Sequence, residues 1–203
     1  MSSNIYIPQI LLSIPRNPVT AVGLPLVLGI LSGTRTGSVV RGQWYRNLRV
    51  PPGRPPPQVF PIVWSTLYIS MGYASHLAVK ALDSAVLSTT RSALTLGLAL
   101  YYAQLSMNFL WSPLFFNAKQ VGLALIDCTL LAGTTFYMTV RAHWLKITNS
   151  TNPLNEQKLL DEPTGSKTTM FLLPYCAWLT LATYLNGGIW WLNRGRRDLS
   201  KED

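Results

Sequence analysis

Tyr101-Tyr-Ala-Gln-Leu-Ser-Met-Asn-Phe-Leu-Trp-Ser-Pro-Leu-Phe-Phe116 is the stretch whose reading decides the fold. It lies within a longer run, Ser92 to Ala118, that contains no charged residue. Such a run is long enough to cross a bilayer as a helix. At helical spacing Tyr101, Gln104, Asn108, Trp111 and Phe115 share one face. That face is polar and aromatic, the wrong chemistry to show to lipid, so it is expected to point into a protein interior. Spacing alone leaves two roles open for it, a helix-packing face held by hydrogen bonds or the wall of a ligand cavity.

The next charge is Lys119, in a tight turn over Asn117 to Gln120. A turn that short predicts an antiparallel hairpin of two helices, the second running from Val121 to Val140 and containing Asp127. Asn108 lies ten residues before Ala118 and Asp127 nine after it. At the helical rise both sit about 14–15 Å from the turn, near mid-bilayer. A carboxylate there costs on the order of 2.5–3.5 kcal/mol, and an amide at the same depth is a natural partner. Asp127 is therefore expected to face the bundle interior and to hydrogen-bond Asn108 or a neighbour. A proton relay is the sharper reading; a structural pair is preferred, because no chain of further acids leads to or from Asp127.

Working outward gives three more spans. Asn17 to Thr34 is 18 residues without charge, with Gly29 and Gly33 spaced for a close helix contact. A basic, proline-rich connector follows, carrying Trp44, Tyr45, five arginines and the run Pro51-Pro-Gly-Arg-Pro-Pro-Pro57. Those prolines exclude a continuous helix and suggest an ordered loop over one end of the bundle. Val59 to Val79 is the second span, with Trp64, Tyr68, Met71 and Ser75 on one face and His76 near its far end. After a polar stretch, Arg141 to Lys167, read as flexible loop, Thr168 to Asn193 supplies 26 uncharged residues for the fifth span, with Trp178, Ala182 and Leu185 on one face. The expected fold is all-α, a single integral membrane domain over residues 1–203. Its five transmembrane helices run over about 17–34, 59–79, 93–116, 121–140 and 169–192, with the long polar loop at 141–167.

Charge and composition narrow the function. The net charge of +9 would suit nucleic acid, but the basic residues sit between long uncharged runs, as membrane-flanking residues do. Membrane lipid is the expected partner, and nucleic acid is not. Cys128 and Cys176 both fall in apolar runs and have neither disulfide-framework nor metal-ligand spacing. No cleavable signal peptide is expected: Ile5 to Ile14 is apolar but lacks a basic flank and contains Pro8. No set of nucleophile, base and orienting residue is visible, so no catalytic residue is nominated. The connector, the tight turn and the tail hold ten Lys or Arg against seven elsewhere, which puts that side, and the C-terminus, in the cytosol.

Four segments together resemble the translocator protein family, also called tryptophan-rich sensory proteins or peripheral benzodiazepine receptors. They are Val59-Phe-Pro-Ile-Val-Trp-Ser-Thr-Leu-Tyr-Ile-Ser-Met-Gly-Tyr-Ala74, Gln104 to Phe116, Gly122-Leu-Ala-Leu-Ile-Asp127, and Pro174-Tyr-Cys-Ala-Trp-Leu-Thr-Leu-Ala-Thr-Tyr-Leu-Asn186. The resemblance extends from the first helix to Asn186. It implies a five-helix bundle, commonly a homodimer, that binds porphyrin, haem or sterol in its interior without requiring a cofactor. The wall of that pocket would be Trp64, Tyr68, Asn108, Trp111, Asp127, Trp178, Ala182 and Leu185, with Trp44 contributed by the connector and Arg49 or Arg54 meeting porphyrin carboxylates. For a member of eukaryotic type it implies the mitochondrial outer membrane, with other endomembranes as the alternative.

The chain departs from the family in three places. Gly187 and Trp191 stand where animal members carry the Tyr and Arg of a cholesterol pattern, Leu123 replaces an aromatic after the third-to-fourth turn, and the loop before the last helix is long. Competing functions are a transporter using Asp127, which the absence of an inverted repeat disfavours, and a membrane adaptor associating through Ala93, Gly97, Ala99 and Ala103. Light-dependent porphyrin degradation at Trp44, Trp64 and Trp178, reported for some bacterial members, is the enzymatic reading.

Overall fold

A computed structural model describes residues 6–34, 36–150 and 164–196, with backbone only over 142–150 and 164–169. Among the described residues its regular structure is all helical, with five long helices: α2 (Pro18–Thr34), α5 (Val59–Ser84), α6 (Ser88–Ser112), α7 (Val121–Ser150) and α8 (Thr164–Asn193). Three short helices accompany them, α1 (Gln9–Arg16), α3 (Thr36–Arg41) and α4 (Gln43–Asn47). A π turn over Pro113–Asn117 ends α6.

The helix inventory corrects the expectation of five helices alone. The connector is helical as far as Asn47 because its prolines begin only at Pro51. The expected loop over 141–167 is helical at both margins, since α7 runs on to Ser150 and α8 starts at Thr164. No proline interrupts the chain between Val121 and Ser150; the first breakers beyond are Pro153 and Pro163. The remainder of that loop, 151–163, lies outside the described residues. By length and composition, two helical stretches among them qualify to cross a membrane, Pro18–Arg41 and Val121–Arg141. The other long helices fall short because they carry the tyrosines, amides and hydroxyls that the interior uses.

The tight turn after α6 is closed by backbone bonds from Ala118 to Pro113 and from Gln120 to Leu114, both 2.9 Å. It places Lys119 in the left-handed region, at φ +54°. Helices α2 and α5 approach closely. A Cβ on Gly72 would fall 2.4 Å from the carbonyl oxygen of Ala21, and one on Gly29 would fall 2.1 Å from the Tyr68 ring. Of the Gly29–Gly33 pair only Gly29 makes the close contact; nothing lies within 4 Å of a Cβ on Gly33.

The bundle has polar side chains within its apolar interior and large apolar side chains on its exterior. Gln104, Asn108, Asp127, Thr135, Thr139 and Asn186 are buried, while Val27, Ile30, Leu31, Ile126, Leu130 and Phe136 are exposed. An apolar exterior around a polar-containing interior is what lipid as solvent selects. At the end opposite the connector, α1 closes the bundle. Ile7 packs with Val79, Leu82 and Leu98, Tyr102 Oη donates to the Leu11 carbonyl at 2.6 Å, and His76 Nδ1 lies 2.8 Å from the Pro15 carbonyl. Arg16 grips Asp83 with two hydrogen bonds of 2.9 Å, which hold the Asp83 carboxyl below its ordinary range.

Candidate functional site: an aromatic cavity inside the bundle

A cavity of about 540 Å³ opens between the long helices and beneath the connector. Its size falls within the usual range for small-molecule sites. Helix α5 contributes Trp64 and Tyr68, α6 contributes Asn108 and Trp111, and α8 contributes Trp178, Ala182 and Leu185. Seven of the nine residues nominated from the sequence thus converge on one space. Helical periodicity explains the convergence: within each segment the nominated residues lie three or four apart and turn to the same side.

Trp44 and Asp127, the other two, lie elsewhere. Trp44 is buried in a cluster with Leu48, Phe115, Phe116, Ala124 and Ile189, edge-on to Phe115 at 6.0 Å. One residue on, a rotation of about 100° brings Tyr45 to the cavity wall instead. Tyr45 packs against Phe116 at 5.8 Å and accepts a hydrogen bond from Arg54, whose guanidinium also sits over its ring. Asp127 is buried, yet the neighbouring Cys128 is the α7 residue that lines the cavity beside Leu131.

The expected Asn108–Asp127 bond is absent. Asn108 accepts from Tyr68 Oη at 2.5 Å and donates to Tyr175 Oη at 3.0 Å. Tyr175 donates in turn to Gln104 Oε1 at 2.8 Å, and Gln104 donates to the Met71 sulfur at 3.7 Å. Residue counts along two helices do not fix azimuth, and the Asn108 amide is taken up by Tyr68 and Tyr175 instead of Asp127. Oδ2 of Asp127 has no hydrogen-bond partner.

Sequence reasoning missed several wall residues. Asn186 follows Ala182 by one helical turn on the same face, a signal that was available. Cys128, Tyr45 and the α2 contribution of Gly29, Ile30 and Ser32 had no periodic signature and required the tertiary arrangement. Three buried polar atoms on wall residues have no partner: the indole nitrogens of Trp111 and Trp178, and Oδ1 of Asn186. Among the described residues the wall combines flat aromatic surface with one charged side chain, Arg54. No group of metal-ligating side chains occurs among the described residues.

The sequence that builds this tryptophan-lined interior has relatives. A family model described as TspO/MBR family matches residues 21–192. The chain belongs to the TspO/MBR family. Among its relatives is the Translocator protein of Homo sapiens, 36% identical over 181 residues, which are 88% of this chain and 93% of that protein. The Translocator protein homolog of Schizosaccharomyces pombe is 36% identical over 185 residues, 91% of this chain and 97% of the relative. The Translocator protein of Ovis aries is 36% identical over 184 residues, covering 88% and 93%. As a TspO/MBR protein this chain is a membrane protein, in keeping with its apolar exterior. The matched region contains every wall residue of the cavity.

Proposed function

We propose that the chain is a five-helix membrane bundle that binds a hydrophobic ligand, a porphyrin, haem or sterol, in the cavity between its helices. One observation carries the reading. Trp64, Trp111 and Trp178 wall a cavity of about 540 Å³ whose one charged lining residue, among the described residues, is Arg54. Aromatic walls favour a flat apolar body by stacking. A guanidinium at the rim favours a carboxylate at the ligand's edge. Within the proposed ligand classes this chemistry favours a tetrapyrrole carboxylate over a sterol, which has no anion to offer Arg54.

The proposal includes the orientation. The connector and the end of α8 are stitched together, with Asn193 Nδ2 donating to the Arg49 carbonyl at 2.9 Å. The basic connector, the turn and the C-terminal end of α8 with Arg194 and Arg196 therefore share one end, which the positive-inside rule assigns to the cytosol. The mitochondrial outer membrane and a homodimer are carried by the family resemblance alone. A transporter working through Asp127 is disfavoured, because Asp127 is not among the residues that line the cavity.

The test is a dark titration of the purified protein with protoporphyrin and with a sterol, following quenching of its seven tryptophans. Saturable porphyrin quenching, weakened by Trp111→Leu and untouched by Asp127→Asn, is the expected result. A folded protein showing no saturable quenching by either ligand would refute the reading, and the aromatic face would then be helix packing.

A further inference from the structure

A second concavity lies outside the bundle, on the outward side of α7 and α8 at the connector end. It measures about 690 Å³, is open to the surroundings, and is lined almost wholly by apolar atoms. Pro51 and Pro52 of the connector form its end wall, and Thr180, Tyr184 and Trp191 of α8 form its floor. Gly188 makes the groove possible. A Cβ there would fall 2.6 Å from the Pro51 ring, so any other residue would lift the connector off α8.

The wall is held rigidly. Tyr184 Oη donates to the Pro52 carbonyl at 3.2 Å. Asn193 clamps the Arg49 backbone, accepting from its N–H at 3.1 Å and donating to its carbonyl at 2.9 Å. Arg196 reaches the Asn47 carbonyl at 2.9 Å. The guanidinium of Arg194 lies 3.4 Å from the centre of the Trp191 ring. Arg194 thus lies over a side chain that lines the groove, and the backbone of Arg49 and the side chain of Arg196 are tied at the same end of α8. Among the described residues none of the three has a carboxylate partner; the ion pair there is Arg16–Asp83, at the opposite end.

We propose that this groove seats one acyl chain of a membrane phospholipid whose negatively charged headgroup is held by Arg49 and Arg194. The groove lies on the face exposed to lipid, so a chain enters it without leaving the bilayer. The mouth lies at the level where paired tryptophans mark the membrane interface, which is the depth of a phosphate. Cations near an anionic leaflet attract it with an energy that corresponds to roughly fivefold in affinity per arginine. The inference rests on the membrane-bundle part of the proposed function and is independent of the cavity ligand.

The experiment places the full chain in phosphatidylcholine vesicles containing a brominated-chain lipid, either phosphatidylglycerol or phosphatidylcholine. The readout is the quenching that Trp191→Phe removes. Brominated phosphatidylglycerol is expected to quench at a mole fraction roughly 25-fold lower than the neutral lipid, two arginines at fivefold each. Arg49→Gln with Arg194→Gln abolishes the difference. Thr180→Phe fills the groove, leaves the charges in place, and removes the quenching by both lipids; Thr180→Leu serves if the larger residue lowers the melting temperature. Equal quenching by the two lipids, or a preference that survives the double arginine variant, overturns the proposal. So does an unchanged preference in the groove-filled variants, which would assign it to diffuse surface charge. Crosslinking of Thr180→Cys between two chains with no lipid quenching would assign the groove to a second copy and also overturn it. The porphyrin titration scores the cavity separately, so failure of one reading leaves the other standing.

Discussion

Asn108→Leu is the perturbation that tests most directly how the interior is held. The side chain joins three helices, accepting from Tyr68 on α5 at 2.5 Å and donating to Tyr175 on α8 at 3.0 Å. Leucine has nearly the same shape, so the change removes polarity rather than volume. Two hydrogen bonds are lost, each worth about 0.6 kcal/mol on average between membrane helices and about 1.7 at most. Their loss is unequal in consequence. Tyr175 keeps its bond to Gln104, whereas the Tyr68 hydroxyl is left as a buried donor without an acceptor, a penalty of about 1–3 kcal/mol. The expected destabilisation is about 2 kcal/mol. The assay is equilibrium unfolding in mixed micelles, run as a cycle with Tyr68→Phe. In the Asn108→Leu background Tyr68→Phe removes the orphaned hydroxyl and should restore part of the loss, so the two substitutions couple with an energy of about 1 kcal/mol or more. Additive effects, or an Asn108→Leu protein as stable as the parent, would refute the idea that this network ties α5, α6 and α8 together.

Three further outcomes are expected. Gly72→Ala pushes a methyl group against the α2 backbone and should cost about 1–3 kcal/mol, whereas Gly97→Ala, with nothing within 4 Å of the new Cβ, should be neutral or stabilise by up to about 1 kcal/mol; comparing the melting temperatures of the two variants checks it. Arg54→Gln should weaken protoporphyrin by roughly tenfold while leaving an uncharged ligand unchanged, measured by tryptophan quenching. Asp83 has a folded-state pKa depressed by Arg16, so its contribution is complete above the unfolded value and is lost as pH falls through the folded one. Stability should drop slightly below about pH 4, and Asp83→Asn should flatten that limb of a pH–melting curve; an unaltered acid limb would deny the pair any role.

Much of this molecule was legible in one dimension because its determinants are local. Uncharged runs bounded by arginines, lysines and prolines mark helices, since backbone pairing within a helix uses only near neighbours. The three-and-four spacing put Trp64 with Tyr68, Asn108 with Trp111, and Trp178 with Ala182 and Leu185 on common faces, and the charge of Lys119, a few residues after Phe116, announced the hairpin. Relations between helices were not legible. Asn108 finds partners 40 and 67 residues away, and nothing in its own neighbourhood says that they are tyrosines rather than Asp127. The rotation of α4, fixed by how Trp44 packs on Phe115, decides that Tyr45 and not Trp44 reaches the cavity. The rotation of α7 likewise shows Cys128 to it and leaves one oxygen of Asp127 unpaired. A side chain's position along a helix follows from counting residues, but the direction it faces depends on the packing of every neighbouring helix, and that is settled only when the bundle assembles.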